Sequence, residues 1–172
     1  MSQPSSFVNS VARKAILFAW LTAGSLDILS AFVNFYLKTG KNPVRVLNYV
    51  ASGVFGSSAL TGGKAMAVWG LVFHYIIAFC FTLFFFFIYP KWKFLSVNKW
   101  LTAIGYGLFA WLVMNLLVVP MSNVTRAAFH LSNALIGATI LICMIGLPIT
   151  LIIGKYYSEN SAKRIILSSQ LS

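Results

Sequence analysis

The chain has 172 residues, of which 59% are hydrophobic and 9% charged; a water-soluble domain carries roughly a quarter charged residues, which excludes water as the solvent for most of this surface. Thirteen Lys and Arg stand against two acids, Asp27 and Glu159, for a net charge of +11. The basic residues sit at the ends of apolar blocks and form no basic face. They therefore anchor helix ends among lipid headgroups, anionic ones included, and nucleic acid is excluded as the partner.

Residues 1–14 form a polar segment closed by Arg13 and Lys14. The first apolar block covers about 15–37, enough for a helix to cross hydrocarbon, which takes about 20 residues. A basic pair before AILFAWLTAG also fits a cleavable signal peptide. The apolar pattern continues past Asp27 to Lys38, however, longer than a signal's apolar core, and a membrane span is expected. Asn42 and Pro43 then offer a helix N-cap and first position. From Val44 onward, steps of about 100° place Val44, Val46, Leu47, Val50, Ala51, Val54 and Phe55 on one half of a helix, with Arg45, Asn48, Tyr49 and Ser52 opposite. The pattern predicts a short amphipathic helix over about 43–56 lying flat in the interface, a re-entrant segment between spans being the alternative.

The second span is expected over about 65–89, with the run FTLFFFFIYP turned to lipid. Pro90, Lys91, Lys93 and Lys99 stop it, and Trp92 and Trp100 suit the headgroup level. A third span over about 100–119 ends at Pro120. The polar loop MSNVTRAAFHLS follows, holding an Asn123-Val124-Thr125 triplet whose glycosylation needs a lumenal, eukaryotic setting, and His130, read as solvated or interfacial. A fourth span over about 133–154 contains Gly146 and Pro148, with a kink expected near the proline. The tail, 155–172, reads as polar and frayed or weakly amphipathic. The expected fold is an all-α, integral-membrane four-helix bundle with a short interfacial amphipathic helix between spans one and two. No internal repeat points to duplicated halves.

The two cysteines, Cys80 and Cys143, lie inside spans without ligand spacing, so no metal, cofactor or disulfide is expected. Catalytic signatures such as GxSxG, HExxH or paired carboxylates do not occur, and an enzyme is not expected.

Asp27 is the acid within a span. Holding a charge there costs on the order of 3 kcal/mol on insertion scales, so it should face the bundle, find a partner or be protonated. Ala23, Gly24, Ser30, Ala31 and Asn34 share its face, which reads as a packing seam and a polar stripe together. Counting about 1.5 Å per residue places His74 of span two and Asn115 of span three within about one helical turn of its depth. One reading of this Asp27, His74, Asn115 and Asn34 cluster is a hydrogen-bonded knot that sets helix register. The other is a protonatable relay or small-ligand site.

The stretch FHYIIAFCFTLFFFFIYPKWKFLSVNKWLTAIGYG, continuing to MNLLVVPMS, resembles the YagU-like family of bacterial inner-membrane proteins. A His near the start of one span, a YPK stop, a glycine-containing next span and a Pro before a polar loop carry the likeness, over roughly residues 70 to 125 and best at His74. The resemblance implies a small bacterial inner-membrane protein, in a family associated with acid tolerance, and no catalytic residues to transfer. The connection between spans one and two is shorter and more basic here than in the family. The expected function is a non-catalytic structural, accessory or stress-related membrane component. The alternative is a transporter or proton-conducting component using the Asp/His cluster, and transport through four helices would call for a homo-oligomer or a larger complex.

Four spans put both termini on one side of the membrane. That side collects eight of the Lys and Arg, including Arg13, Lys91 and Lys155, against five on the other (Lys38, Lys41, Arg45, Lys64 and Arg126), which predicts cytoplasmic termini. A cytoplasm-dependent reporter fused to the C-terminus should be active, and activity of an export-dependent reporter alone would reverse the orientation.

Overall fold

The computed structural model describes residues 5–124 and 130–169, with side chains over 10–124 and 130–162; these residues are helical or in turns, with no strand among them. Helix α1 is Ser5–Thr39, α2 is Val44–Phe55 with a 3₁₀ turn Gly56–Leu60 after it, and α3 is Gly63–Ile88. The short α4, Phe94–Val97, leads into α5, Lys99–Val113. There the Asn98 side chain caps the helix start by accepting from the backbone N–H of Trp100 and Leu101. Four segments are long and apolar enough to cross a membrane: Ser10–Thr39, Gly63–Ile88, Lys99–Met121 and Leu131–Ala162. Large apolar side chains such as Phe18, Leu29, Val68, Phe87, Leu101 and Leu135 stand exposed on their outer faces, as lipid contact requires and water does not favour.

The third and fourth spans each contain one wider turn, and the prolines account for both. After α5 the chain makes a π turn, Met114–Val118, before the last turn α6, Val119–Met121. The fourth span runs as α7, Leu131–Leu141, a π turn, Ile142–Gly146, and α8, Leu147–Ser169. Each π turn ends two residues before a proline, Pro120 or Pro148. A proline has no N–H and presses its ring on the carbonyl four residues back. Widening the preceding turn relieves that pressure while keeping the backbone bonded, as in the Val119 and Leu147 N–H groups, which reach back five residues to Met114 and Ile142. The kink expected near Pro148 thus takes the form of a π turn.

Toward the end carrying the termini lies the main buried core, with an apolar hollow of about 570 Å³ beside it between α3 and α5. Ala19 and Ala23 of α1, Phe85 of α3, Tyr106 and Ala110 of α5, and Ile145, Ile149 and Ile153 of the fourth span form one buried core. There α5 and the fourth span meet backbone to backbone: a side chain at Gly107 would run into Ile142, and one at Gly146 into Ala103. α3 and α5 are joined across this end by side chains, Tyr106 Oη donating to the Phe81 carbonyl at 2.6 Å. Of the phenylalanines expected to face lipid, Phe84 and Phe87 are exposed, but Phe85 is fully buried against Tyr106. The tail expected to fray instead prolongs the fourth helix, with Tyr157 Oη donating to the Phe86 carbonyl at 2.9 Å and its ring stacked on Tyr89.

The opposite end is held by α2. This helix occupies the predicted range but buries a different face: Leu47, Asn48, Ala51 and Ser52 are buried, while Val44, Val54 and Phe55 are exposed. The apolar count overlooked that a polar side chain can close a connection. Asn48 Nδ2 donates to the Ala59 and Gly63 carbonyls at 3.0 and 3.2 Å, and Leu47 abuts the α3 backbone at Gly70. On its other side α2 is tied to the loop after span three, where Asn123 donates through its backbone N–H to Gly53 and through Nδ2 to Val54. That asparagine opens the glycosylation triplet; Thr125 and Arg126 lie outside the described residues.

Gly146→Val should therefore destabilise the purified protein by at least the 1–3 kcal/mol, roughly, of an overpacked core. Gly105→Ala, with open space around the added carbon, should cost nothing. Thermal unfolding in mild detergent followed by circular dichroism compares the two, and equal midpoints would contradict the close crossing.

Candidate functional site: an intramembrane cavity at the α1–α3 seam

Helices α1 and α3 are joined at mid-bundle by polar contacts. Trp20 Nε1 donates to the Tyr75 carbonyl at 2.7 Å, Ser25 Oγ and Tyr75 Oη share a hydrogen at 2.8 Å, and His74 Nε2 donates to the Gly24 carbonyl at 2.8 Å. Gly24 leaves the room in which the Tyr75 ring lies. In hydrocarbon such interhelical bonds contribute about 0.6 kcal/mol each, because unassociated helices also find partners.

The His74 bond has a chemical consequence. A carbonyl oxygen only accepts, so Nε2 carries a hydrogen whether the ring is neutral or charged. Nδ1 is thereby left to face Asp27, whose Oδ2 lies 4.0 Å away, inside ion-pair reach but beyond a hydrogen bond. Two arrangements leave the pair without net charge: a protonated carboxyl beside neutral imidazole, or a carboxylate beside imidazolium. They differ only in where one proton resides, and a low-dielectric surrounding favours either over a lone charge.

Asp27 and His74 stand on the wall of a cavity of about 720 Å³ between α1 and α3 on one side and α5 and α7 on the other. Their side chains keep 21% and 11% of their surface accessible. Asn34 and Asn115 line the same cavity, as do Tyr49 of α2, Trp111, His130 and Asn133. Counting from the helix ends opposite the termini, Asn133 lies roughly 3 Å deep, Asn34 and Asn115 roughly 8 Å, and His74 and Asp27 roughly 17 Å. The polar groups thus form a track from a mouth framed by the exposed Tyr49, His130 and Asn133 to the middle of the bundle. At the mouth Lys38 Nζ donates to Asn133 Oδ1 at 2.8 Å, linking the end of span one to the start of span four. Partial burial raises the Tyr49 phenol above its usual range, so it stays neutral there.

All four residues of the expected cluster reach one site, but they do not bond to each other as a knot. Asn115 Nδ2 donates to the Trp111 carbonyl of its own helix at 2.8 Å, and neither the Asp27 carboxyl nor the Asn34 amide makes a hydrogen bond among the described residues. Asn115 also lies nearer the mouth than Asp27 by more than the single turn expected. Sequence reasoning missed Asn133, Tyr49 and Trp111; His130, read as solvated or interfacial, is exposed and lines the mouth. Nothing in their spacing sets them apart, although each is a polar or amphipathic residue at or near a helix end. Among the described residues no group of three His, Cys, Asp or Glu comes together to hold a metal ion.

No family model, curated protein or solved structure matches the chain. The likeness to the YagU-like family rests on the quoted residues alone.

Because Asp27 has no hydrogen bond to lose and a carboxyl at mid-bundle costs on the order of 3 kcal/mol, Asp27→Asn should fold and unfold at the parent temperature or above it. Ser25→Ala, which breaks a seam contact, should cost about 0.6 kcal/mol. Unfolding of both variants in detergent checks the contrast; collapse of the Asp27→Asn protein would restore the knot reading.

Proposed function

We propose that this chain is a multi-pass protein of the bacterial cytoplasmic membrane, with cytoplasmic termini, that takes a small solute into its bundle and carries it in exchange with, or together with, a proton held by Asp27 and His74. One observation carries the proposal: apart from His74 at ion-pair distance, the costly intramembrane acid meets a cavity and makes no side-chain hydrogen bond among the described residues. A structural knot satisfies its own members, whereas here Asp27 and Asn34 keep their bonding capacity turned to open space. Intramembrane ionisable groups of this kind mark ion, proton and substrate paths. The polar track from mouth to mid-bundle supplies a route in, and the aromatic and aliphatic wall supplies a body for the solute to rest on.

The buried core at the other end supports an occluded state open to one side. Release to the termini side requires α5 and the fourth span to part around their π turns, a motion of the rocking kind known for carriers. Whether one chain or a homo-oligomer completes the path is read from the same preparation by its mass in detergent.

Reconstituted into vesicles with a pH gradient, the protein should dissipate that gradient in a solute-dependent manner, and Asp27→Asn should lower the rate about tenfold or more, the loss expected for removal of a proton-transfer group. Equal rates in empty and protein-loaded vesicles over a broad solute panel would leave the structural or accessory role as the reading.

A further inference from the structure

The deep end of the cavity has a one-sided hydrogen-bonding character. The Asp27 carboxylate only accepts. Since His74 Nε2 is committed to the Gly24 carbonyl, a neutral ring offers Nδ1 as an acceptor. Asn115, whose Nδ2 donates one hydrogen to the Trp111 carbonyl, lies nearer the mouth and keeps both an acceptor and a second N–H. The Trp111 indole N–H makes no hydrogen bond among the described residues, and the Asn34 amide can present either of its ends. Once its proton has left, the Asp27–His74 pair therefore presents two acceptors, one of them anionic, beside the apolar side chains of Ile77, Phe81 and Trp111.

Resting on the solute-carrier reading above, we propose that the cavity's solute is a small organic ammonium cation, its charged nitrogen seated at Asp27 and His74 and its apolar body against Phe81 and Trp111. An ammonium group brings donors where the site holds acceptors, and it brings the positive charge that compensates Asp27. Aromatic faces add cation–π attraction, which strengthens where water is excluded. A bare metal ion needs six or more oxygens closing around it within about 2.6 Å; a cavity of about 720 Å³ suits a molecule. An anionic solute would face a carboxylate and the Nδ1 lone pair.

The proton follows from the same arithmetic. In either neutral arrangement the Asp27–His74 pair holds one proton beyond that on Nε2. When the ammonium pairs with the carboxylate, that proton leaves to water, and the charge within the cavity is unchanged by the exchange. The other titratable or charged groups around the space are Tyr49 from α2, His130 before α7 and Lys38 at the end of α1, all at the mouth and apart from this exchange; α5 contributes none.

Titration calorimetry of the full chain in mild detergent, with n-butylammonium, n-butanol and butyrate as probes, tests the inference. Expected are binding of butylammonium in preference to both others by about tenfold or more, release of close to one proton per ligand measured in buffers of different ionisation enthalpy, and loss of this binding in Asp27→Asn. His74→Gln, which keeps a side-chain N–H able to donate to the Gly24 carbonyl, keeps the binding test available if Asp27→Asn does not fold, and should weaken butylammonium binding severalfold. Butanol or butyrate binding as tightly as butylammonium would overturn the ammonium assignment while leaving a solute site. Binding of sodium or potassium ions as strong as that of butylammonium would overturn the organic class. No binding by any probe, together with no solute-dependent flux in vesicles, would overturn both readings.

Discussion

At Gly107 and Gly146 the backbones of α5 and the fourth span touch without side chains between them. Membrane helices gain little from expelling water from one another, and close backbone approach is what holds them together. That crossing lies beside a π turn and a core of Ala, Ile, Phe and Tyr, and it draws the spans together at the end that carries the termini. The cavity lies beside this crossing, between α1, α3, α5 and α7, and Asp27, Asn34, His74 and Asn115 all line it.

The α1–α3 seam is the second fixed feature, and it prepares the chemistry. By accepting from His74 Nε2, the Gly24 carbonyl settles which ring nitrogen is committed and which is presented to Asp27. A histidine free to turn would be an ordinary buried donor; this one is oriented so that a single proton decides the charge of its pair. Trp20, Ser25 and Tyr75 hold the two helices in that register with bonds of modest strength.

Both π turns flank the cavity, one carrying Met114 and Asn115, the other Ile145. Wider turns interrupt regular helix bonding and recur at functional sites. Here they lie beside the cavity, while α2 joins the connection before span two to the loop after span three.

Apolar run length and the placement of Lys and Arg were enough to give four spans, their order and the helix between the first two, because in hydrocarbon every backbone group must be bonded within its own helix. Composition also singled out Asp27, since an acid at mid-span is costly, and a rise of about 1.5 Å per residue brought His74 near it. Which face α2 buries was not legible, because Asn48 and Ser52 are polar by type and buried only by virtue of the carbonyls they meet. Nor was the fate of the Phe run, where neighbours of one chemistry divide between lipid and core at Phe84 and Phe85. Above all, a sequence lists polar groups but not the empty volume between them. Whether Asp27, Asn34, His74 and Asn115 close on each other or open onto a cavity depends on how four helices pack, and that packing rests on contacts between distant residues, such as Gly107 with Ile142 and Gly146 with Ala103.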